Sequence, residues 1–283
     1  MPEPLTLLHA PLGQPGSGRV RYGAAMALWR DGLISAEVLE VYRVASAHDA
    51  RDPLQTLRDL GLPSPPVSAK EPPLQTLYSA ARDYLLTLDH PGAAEVRASL
   101  PADPGPEQAR PARTSAIVDR WLRPALDAMD DRHRPLAQAI GDAAGRLDWA
   151  PYSGYPLAEI GPYFPNGQAA GSIMGAPAPF AAQDIDLGLF LIAPNVVYRD
   201  HNHAAPELYA PLTGPHGWRF GPDRPLVIKP AHEPVWNPPH QPHLTKVGAV
   251  PFLCLYVWTR DVAELAKVIP ASDWPELEAL TLA

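Results

Sequence analysis

Three things are scarce in this chain, and each scarcity excludes a class of protein. There is one cysteine, Cys254, among 283 residues, so an internal disulfide framework is ruled out and a reducing compartment suits the chain. Its neighbours, Phe252 through Trp258, read as a buried strand with an inert thiol. Basic charge is also short: 23 Lys and Arg against 31 Asp and Glu leave a net charge of −8, with no basic block. A nucleic-acid partner is therefore not expected, because such binding needs a cationic face to displace counterions from phosphates. Long apolar runs are missing too. No stretch approaches the roughly 18 residues of a membrane span, and the N-terminus lacks a charged segment followed by an apolar one. A cytoplasmic location with no membrane partner is the expectation.

What is present is a 46% hydrophobic chain, long enough to bury a large core in one or two domains. Its 37 prolines are dispersed, with clusters at 61–73 and 101–111 that read as linker or loop. From Arg21 to about 147 the apolar residues recur at helical spacing. Ser35 is placed to cap a helix carrying Val38, Leu39, Val41 and Tyr42. Leu74, Leu77, Tyr78, Ala81, Leu85 and Leu88 make a strong stripe. A helix over 113–129 shows Ile117, Trp121, Ala125 and Met129 on one face, with Pro124 inside it, and Leu136, Ile140 and Ala144 mark a fourth. Helices joined by short loops most simply bury one another, so residues 1–147 are expected to form a helical domain. His9, His48, His90 and His133 stand alone there and read as surface or capping residues.

Past Trp149 glycine, proline and aromatic residues punctuate short apolar runs, among them 171–174, 187–192, 196–198, 207–209, 218–220, 226–228, 235–236 and 251–258. Many short strands separated by turn residues indicate a sandwich or barrel. Helices near 261–268 and 274–281 are expected to pack outside it. The fold class expected is α+β, with a helical domain over 1–147 and a β-barrel over 148–283.

The chemistry concentrates at His201-Asn202-His203-Ala204-Ala205-Pro206-Glu207-Leu208-Tyr209, since six of the ten histidines fall between 201 and 243. Residues two apart on a strand share a face, so His201 and His203 suit two ligands of one ion. Glu207 has the same parity, yet a straight strand would carry it about 20 Å away, while ligands converge to about 2 Å from a metal. The chain must therefore turn at Ala204-Ala205-Pro206, after which Tyr209 again faces inward. His240 and His243 lie downstream, whereas His216 and His232 read as surface residues.

The pattern His-x-His-x3-Glu-x6-Gly, occupied by His201, His203, Glu207 and Gly214, resembles the first cupin motif, and Pro238 to His243 resembles the second. His240, Asn195 and Val247 depart from that pattern without touching a ligand position. The added Tyr209, the Gln241-Pro242-His243 step and the strand Pro251 to Trp258 are similar to the dimethylsulfoniopropionate (DMSP) lyase branch of the cupins. The resemblance implies a double-stranded β-helix, or jelly roll, and a divalent ion (Zn, Fe(II), Mn, Co or Ni) held by His201, His203, Glu207 and His243. It further implies that Tyr209, or alternatively Tyr198, acts as base in eliminating dimethyl sulfide from a small carboxylate substrate. Tyr152, Tyr155, Tyr163 and Trp236 are available as aromatic walls for a sulfonium. Other cupin chemistry, by a dioxygenase or an isomerase, and a non-catalytic binding role stand as alternatives, and a homo-oligomer is possible.

Overall fold

The structure is a computed structural model that describes residues 4–65, 72–151 and 153–282. Tyr152 and residues 66–71 of the first proline cluster lie outside the described residues. The chain divides into two compact units, Met1–Lys70 and Glu71–Ala283.

The first unit holds helices α1 (Pro4–Leu7), α2 (Ser17–Arg30), α3 (Ala36–Ala45) and α4 (Pro53–Asp59). Ser35 caps α3 as expected, its hydroxyl accepting from the Val38 amide. Leu28, Val38, Tyr42 and Leu57 are buried together in its core. The buried Arg21 guanidinium donates to the carbonyls of Ala10 and Asp49, tying the loops that flank α2 and α3.

The second unit begins with α5 (Pro73–Thr87), α6 (Pro91–Ser99), α7 (Ala116–Asp127) and α8 (Arg134–Ala143), followed by the short α9 (Leu157–Ile160) and α10 (Tyr163–Asn166). His90 caps α6 through Nδ1, which accepts from the Gly92 amide. In α7 the buried stripe is Val118, Leu122, Ala125 and Leu126; of the expected face, Ala125 and Met129 are buried, whereas Ile117 and Trp121 are only partly buried against the core. Helices α5 to α8 do not bury one another alone. They share a single apolar cluster with the strands that follow, because one face of the sheet needs the same cover.

Those strands are β1 (Gln168–Gly175), β2 (Phe180–Ala181), β3 (Asp186–Ile192), β4 (Val197–Asn202), β5 (Glu207–Pro211), β6 (His216–Arg219), β7 (Val227–Lys229), β8 (Val235–Asn237), β9 (His243–Lys246), β10 (Phe252–Trp258) and β11 (Lys267–Val268). They form a six-stranded sheet in the order β2-β1-β3-β10-β5-β8 and a five-stranded sheet in the order β11-β4-β9-β6-β7. All pairings are antiparallel except β1 with β2.

Along β3, Leu187, Leu189 and Leu191 pack into the helical cluster, whereas Phe190 and Ile192 join a second cluster with Tyr198, Tyr209, Trp218 and Phe252. Both faces of the strand are buried, which is why its sequence is a continuous apolar run rather than an alternating one. Cys254 lies fully buried on β10, as expected.

The expected helix at 261–268 does not form. Asp261 takes a left-handed φ of 55°, and Lys267 and Val268 instead pair with Asn202 and His201 to cover the free edge of β4. The later helix is present as α11 (Trp274–Ala279). It is pinned to the site's outer side by a buried ion pair: Arg219 bonds both Asp200 and Asp273, and Trp274 Nε1–H donates to Asp200 at 2.9 Å.

Candidate metal centre and its cavity

Three histidines meet because of pairing and one irregularity. His201 on β4 stands directly opposite His243 on β9, which puts both on the same face. His203 follows two residues after His201. The turn at Ala204-Ala205-Pro206 then carries the chain from the five-stranded sheet into β5 of the six-stranded sheet, so Glu207 returns toward the histidines instead of running away from them.

Ligand atoms of His201, His203 and His243 all lie within 4.8 Å of one another. Glu207 Oε2 is 3.2 Å from His203 Nε2 and 3.4 Å from His243 Nε2. His240 sits outside this group, exposed and with a left-handed φ of 59°.

The main chain sets each ring. His201 Nδ1–H donates to Arg199 O at 2.8 Å, His203 to Ala205 O at 2.7 Å and His243 to Gln241 O at 2.8 Å. A carbonyl only accepts, so the proton belongs on Nδ1 and the lone pair on Nε2. The Nε2 atoms of His201 and His243 are buried and accept no hydrogen bond. Buried polar atoms are seldom left unpaired, and here two share one point with a carboxylate. The donor set of three imidazoles and one carboxylate fits a divalent cation.

Electrostatics agree. Burial, with His243 and His203 alongside, holds His201 well below the usual imidazole range, so its lone pair is kept. Burial alone would lower His203 too, but the Glu207 charge and hydrogen bond raise it. Burial would raise Glu207, yet His203 and His243 hold it well below the usual carboxylate range. Its oxygens are aimed from behind: Trp258 Nε1–H donates to Oε1 at 2.8 Å and Asn237 Nδ2–H to Oε2 at 3.2 Å.

Tyr198 and Tyr209 both line a cavity of about 200 Å³ beside Glu207. Tyr198 is three residues before His201, a spacing that would put the two on opposite faces of a regular strand. A register shift between them turns both inward, and their rings stack at 3.8 Å. The Tyr198 hydroxyl bonds Tyr155 at 2.7 Å. Burial pushes both phenols well above their ordinary range, reinforced at Tyr198 by Tyr155 and Tyr209, and at Tyr209 by the Glu207 charge.

Among the other aromatic candidates, Tyr163 is 64% exposed. Trp236 pairs with Leu208, on the face away from Glu207 and Tyr209, where its indole fills the space over Gly92 that any Cβ there would occupy. The cavity's aromatic walls come instead from Phe190, Tyr256 and Trp258, and Asp186 also lines it. In sequence Tyr256 and Trp258 stand out only as members of the strand Pro251 to Trp258, with no individual role, and Asp186 gives no signal at all. The alternating parity of β10 with Cys254 was the only available clue.

His216 is not on the surface. It is buried, with Nδ1 accepting from the Gly248 amide at 3.1 Å, and burial depresses its pKa to about 4. His232 is partly buried, bonded to Tyr84 and stacked on His133 at 3.9 Å.

Fold and site together define a two-sheet β protein, backed by helices, with a buried three-histidine, one-carboxylate cluster opening on a small aromatic cavity. Residues 92–254 match the family model for dimethylsulfoniopropionate lyase, more than half of the chain. The chain belongs to the DMSP lyase family.

It is 26% identical over 124 residues to dimethylsulfoniopropionate lyase DddQ of Ruegeria pomeroyi, a stretch covering 44% of this chain and 59% of that protein. A chain from the crystal structures of the DMSP lyases RdDddP and RnDddQII superposes with a TM-score of 0.60 at 25% identity, over 70% of this chain and 98% of that one. The crystal structure of DddQ from Ruegeria pomeroyi gives 0.53 at 20% identity, over 70% and 97%. No helix among the described residues is long and apolar enough to cross a membrane.

Proposed function

We propose that this chain is a metal-dependent carbon–sulfur lyase that cleaves DMSP to dimethyl sulfide and acrylate in a cupin barrel closed by its two sheets. The observation carrying this reading is the pair of buried Nε2 atoms, on His201 and His243, that make no hydrogen bond and converge with His203 on the Glu207 carboxylate.

His201, His203, Glu207 and His243 would hold a divalent ion. Bound there, such an ion supplies Lewis acidity to a substrate carboxylate and so acidifies the adjacent C–H. Tyr209 Oη, as phenolate, takes that proton. The electrons of the C–H bond form the new C=C bond, and those of the C–S bond leave with sulfur, so a cationic sulfonium departs as neutral dimethyl sulfide. Tyr209 is the better base of the two tyrosines because Glu207 is two residues away on the same face of β5. Part of its raised pKa comes from the Glu207 charge, a part that a cation held by Glu207 would cancel, favouring phenolate. Tyr198, stacked on His201 and bonded to Tyr155, positions the His201 ring.

Headspace measurement of dimethyl sulfide from metal-loaded protein given DMSP tests the reading. Release that is lost in His243→Ala and in Tyr209→Phe, with Tyr209→Phe still binding metal, is expected. No gas from the loaded wild-type protein overturns the assignment.

A further inference from the structure

One carboxylate in the cavity has no role in the steps above. The antiparallel register places Asp186 of β3 opposite Trp258 of β10, and Trp258 opposite Glu207 of β5. Directly opposed residues share a face, so Asp186 looks into the same space as Glu207, two strand spacings or about 10 Å away between Cα atoms.

In the neighbouring row Gly188 faces Tyr256. A Cβ at 188 would lie 2.6 Å from the Tyr256 ring and hydroxyl, so glycine lets that ring lean across β3. There the Tyr256 hydroxyl donates to Asp186 Oδ2 at 3.3 Å and meets Ser172 Oγ at 3.0 Å. Asp186 Oδ1 is buried and accepts no hydrogen bond.

Among the described residues the cavity's carboxylates are Asp186, Glu207 and Glu264, and no Lys or Arg lines it. Glu207 is committed to the histidine cluster. Asp186 is thus a half-satisfied carboxylate, with one oxygen bonded by Tyr256 and one free, at the far wall of a small aromatic cavity; Arg110 lines a separate cavity on its other side, so within this one a positive occupant is what would offset its charge. Burial raises its pKa only to about 6, so at neutral pH it is ionised.

We infer that Asp186 is the counter-charge that selects a cationic over a neutral substrate tail. This rests on the proposed lyase reading for the identity of that cation, a sulfonium. The carboxylate end of a short β-sulfonio acid reaches the histidine cluster while its cationic end lies toward Asp186, with Tyr256 and Trp258 between them as aromatic walls.

The test uses metal-loaded full-length protein and two ligands of matched shape: DMSP, and 4-methylpentanoate, in which a neutral CH replaces S⁺. Calorimetric binding and dimethyl sulfide kinetics are compared for wild type, Asp186→Asn and Asp186→Glu. The wild type should prefer the cation roughly tenfold or more. Asp186→Asn should lose that preference, with KM raised by a similar factor, kcat little changed and 4-methylpentanoate affinity kept. Asp186→Glu should restore the preference, which a purely structural role would not predict. Equal preference in wild type and Asp186→Asn overturns the inference, as does equal weakening of both ligands. Cation preference that depends on Asp186 without gas release sustains the inference and sinks the lyase reading alone.

Discussion

His201 and His243 are direct partners across β4 and β9, with ring centroids 4.0 Å apart, and each ring is held by a carbonyl two residues earlier in its own chain. The backbone therefore orients both Nε2 lone pairs. His243→Ala should remove one ligand without disturbing the other two rings. Elemental analysis should fall from about one divalent ion per chain to a small fraction of that, with the far-ultraviolet circular dichroism unchanged.

Besides walling the cavity, Trp258 aims Glu207 through its indole N–H. Trp258→Phe keeps an aromatic ring beside His203 but removes the Nε1–H donor to Glu207 Oε1 along with part of the indole. Metal affinity measured by chelator competition should drop about 10- to 100-fold. An unchanged affinity would show that Asn237 suffices.

Arg219 and Asp200 are both fully buried and bonded through two guanidinium nitrogens. Arg219→Ala leaves the Asp200 charge without its partner and should cost about 3–5 kcal/mol in urea unfolding. Replacing both, as Arg219→Met with Asp200→Leu, should cost much less, because the only charge left without its partner, Asp273, is 39% exposed rather than buried.

His216 makes the fold acid-sensitive. Its pKa is about 4 in the folded protein and about 6.5 in the unfolded chain. Between those values the unfolded chain binds a proton that the native state does not, so stability falls as pH drops through this window, by about 3 kcal/mol in all. His216→Gln should show a shallower loss from pH 6.5 to 4 in parallel urea titrations.

Asp186 acts in the opposite sense. Its folded pKa is about 6, above the unfolded value of about 3.9. Stability is therefore lost as pH rises through that interval and stays lower above it. Asp186→Asn should be more stable than wild type at pH 7, by about 1–3 kcal/mol, and equal to it near pH 3. Such a gain, alongside weaker ligand discrimination, is the trade expected of a charge kept for binding.

Much of this was legible in the chain, and the limits have physical causes. Helix α3 with its Ser35 cap, helix α5 and nearly all the strands follow from local period and turn residues. So does the bend at Ala204-Ala205-Pro206, because the ligand reach of a single ion forbids a straight strand from His201 to Glu207. The face of α7 is legible at Ala125 and Met129 but not at its start, where Val118 and Leu122 rather than Ile117 and Trp121 are buried, since several apolar positions compete and only the neighbour packed against them chooses. A helix is expected at 261–268, but the unpaired edge of β4 claims Lys267 and Val268.

Tyr198 shows the limit most sharply. Parity excludes it from the face of His201, and a single register shift against β9 overrides parity. His216, Asp186 and Tyr256 acquire their roles from partners 32 to 84 residues distant, and nothing nearby in the chain marks them. Residue spacing alone therefore establishes which side chains could hold an ion and where the chain must bend to bring them together. Which groups orient them, and which charge faces them across the cavity, is decided by strand register, because antiparallel pairing is what sets distant residues side by side on one face.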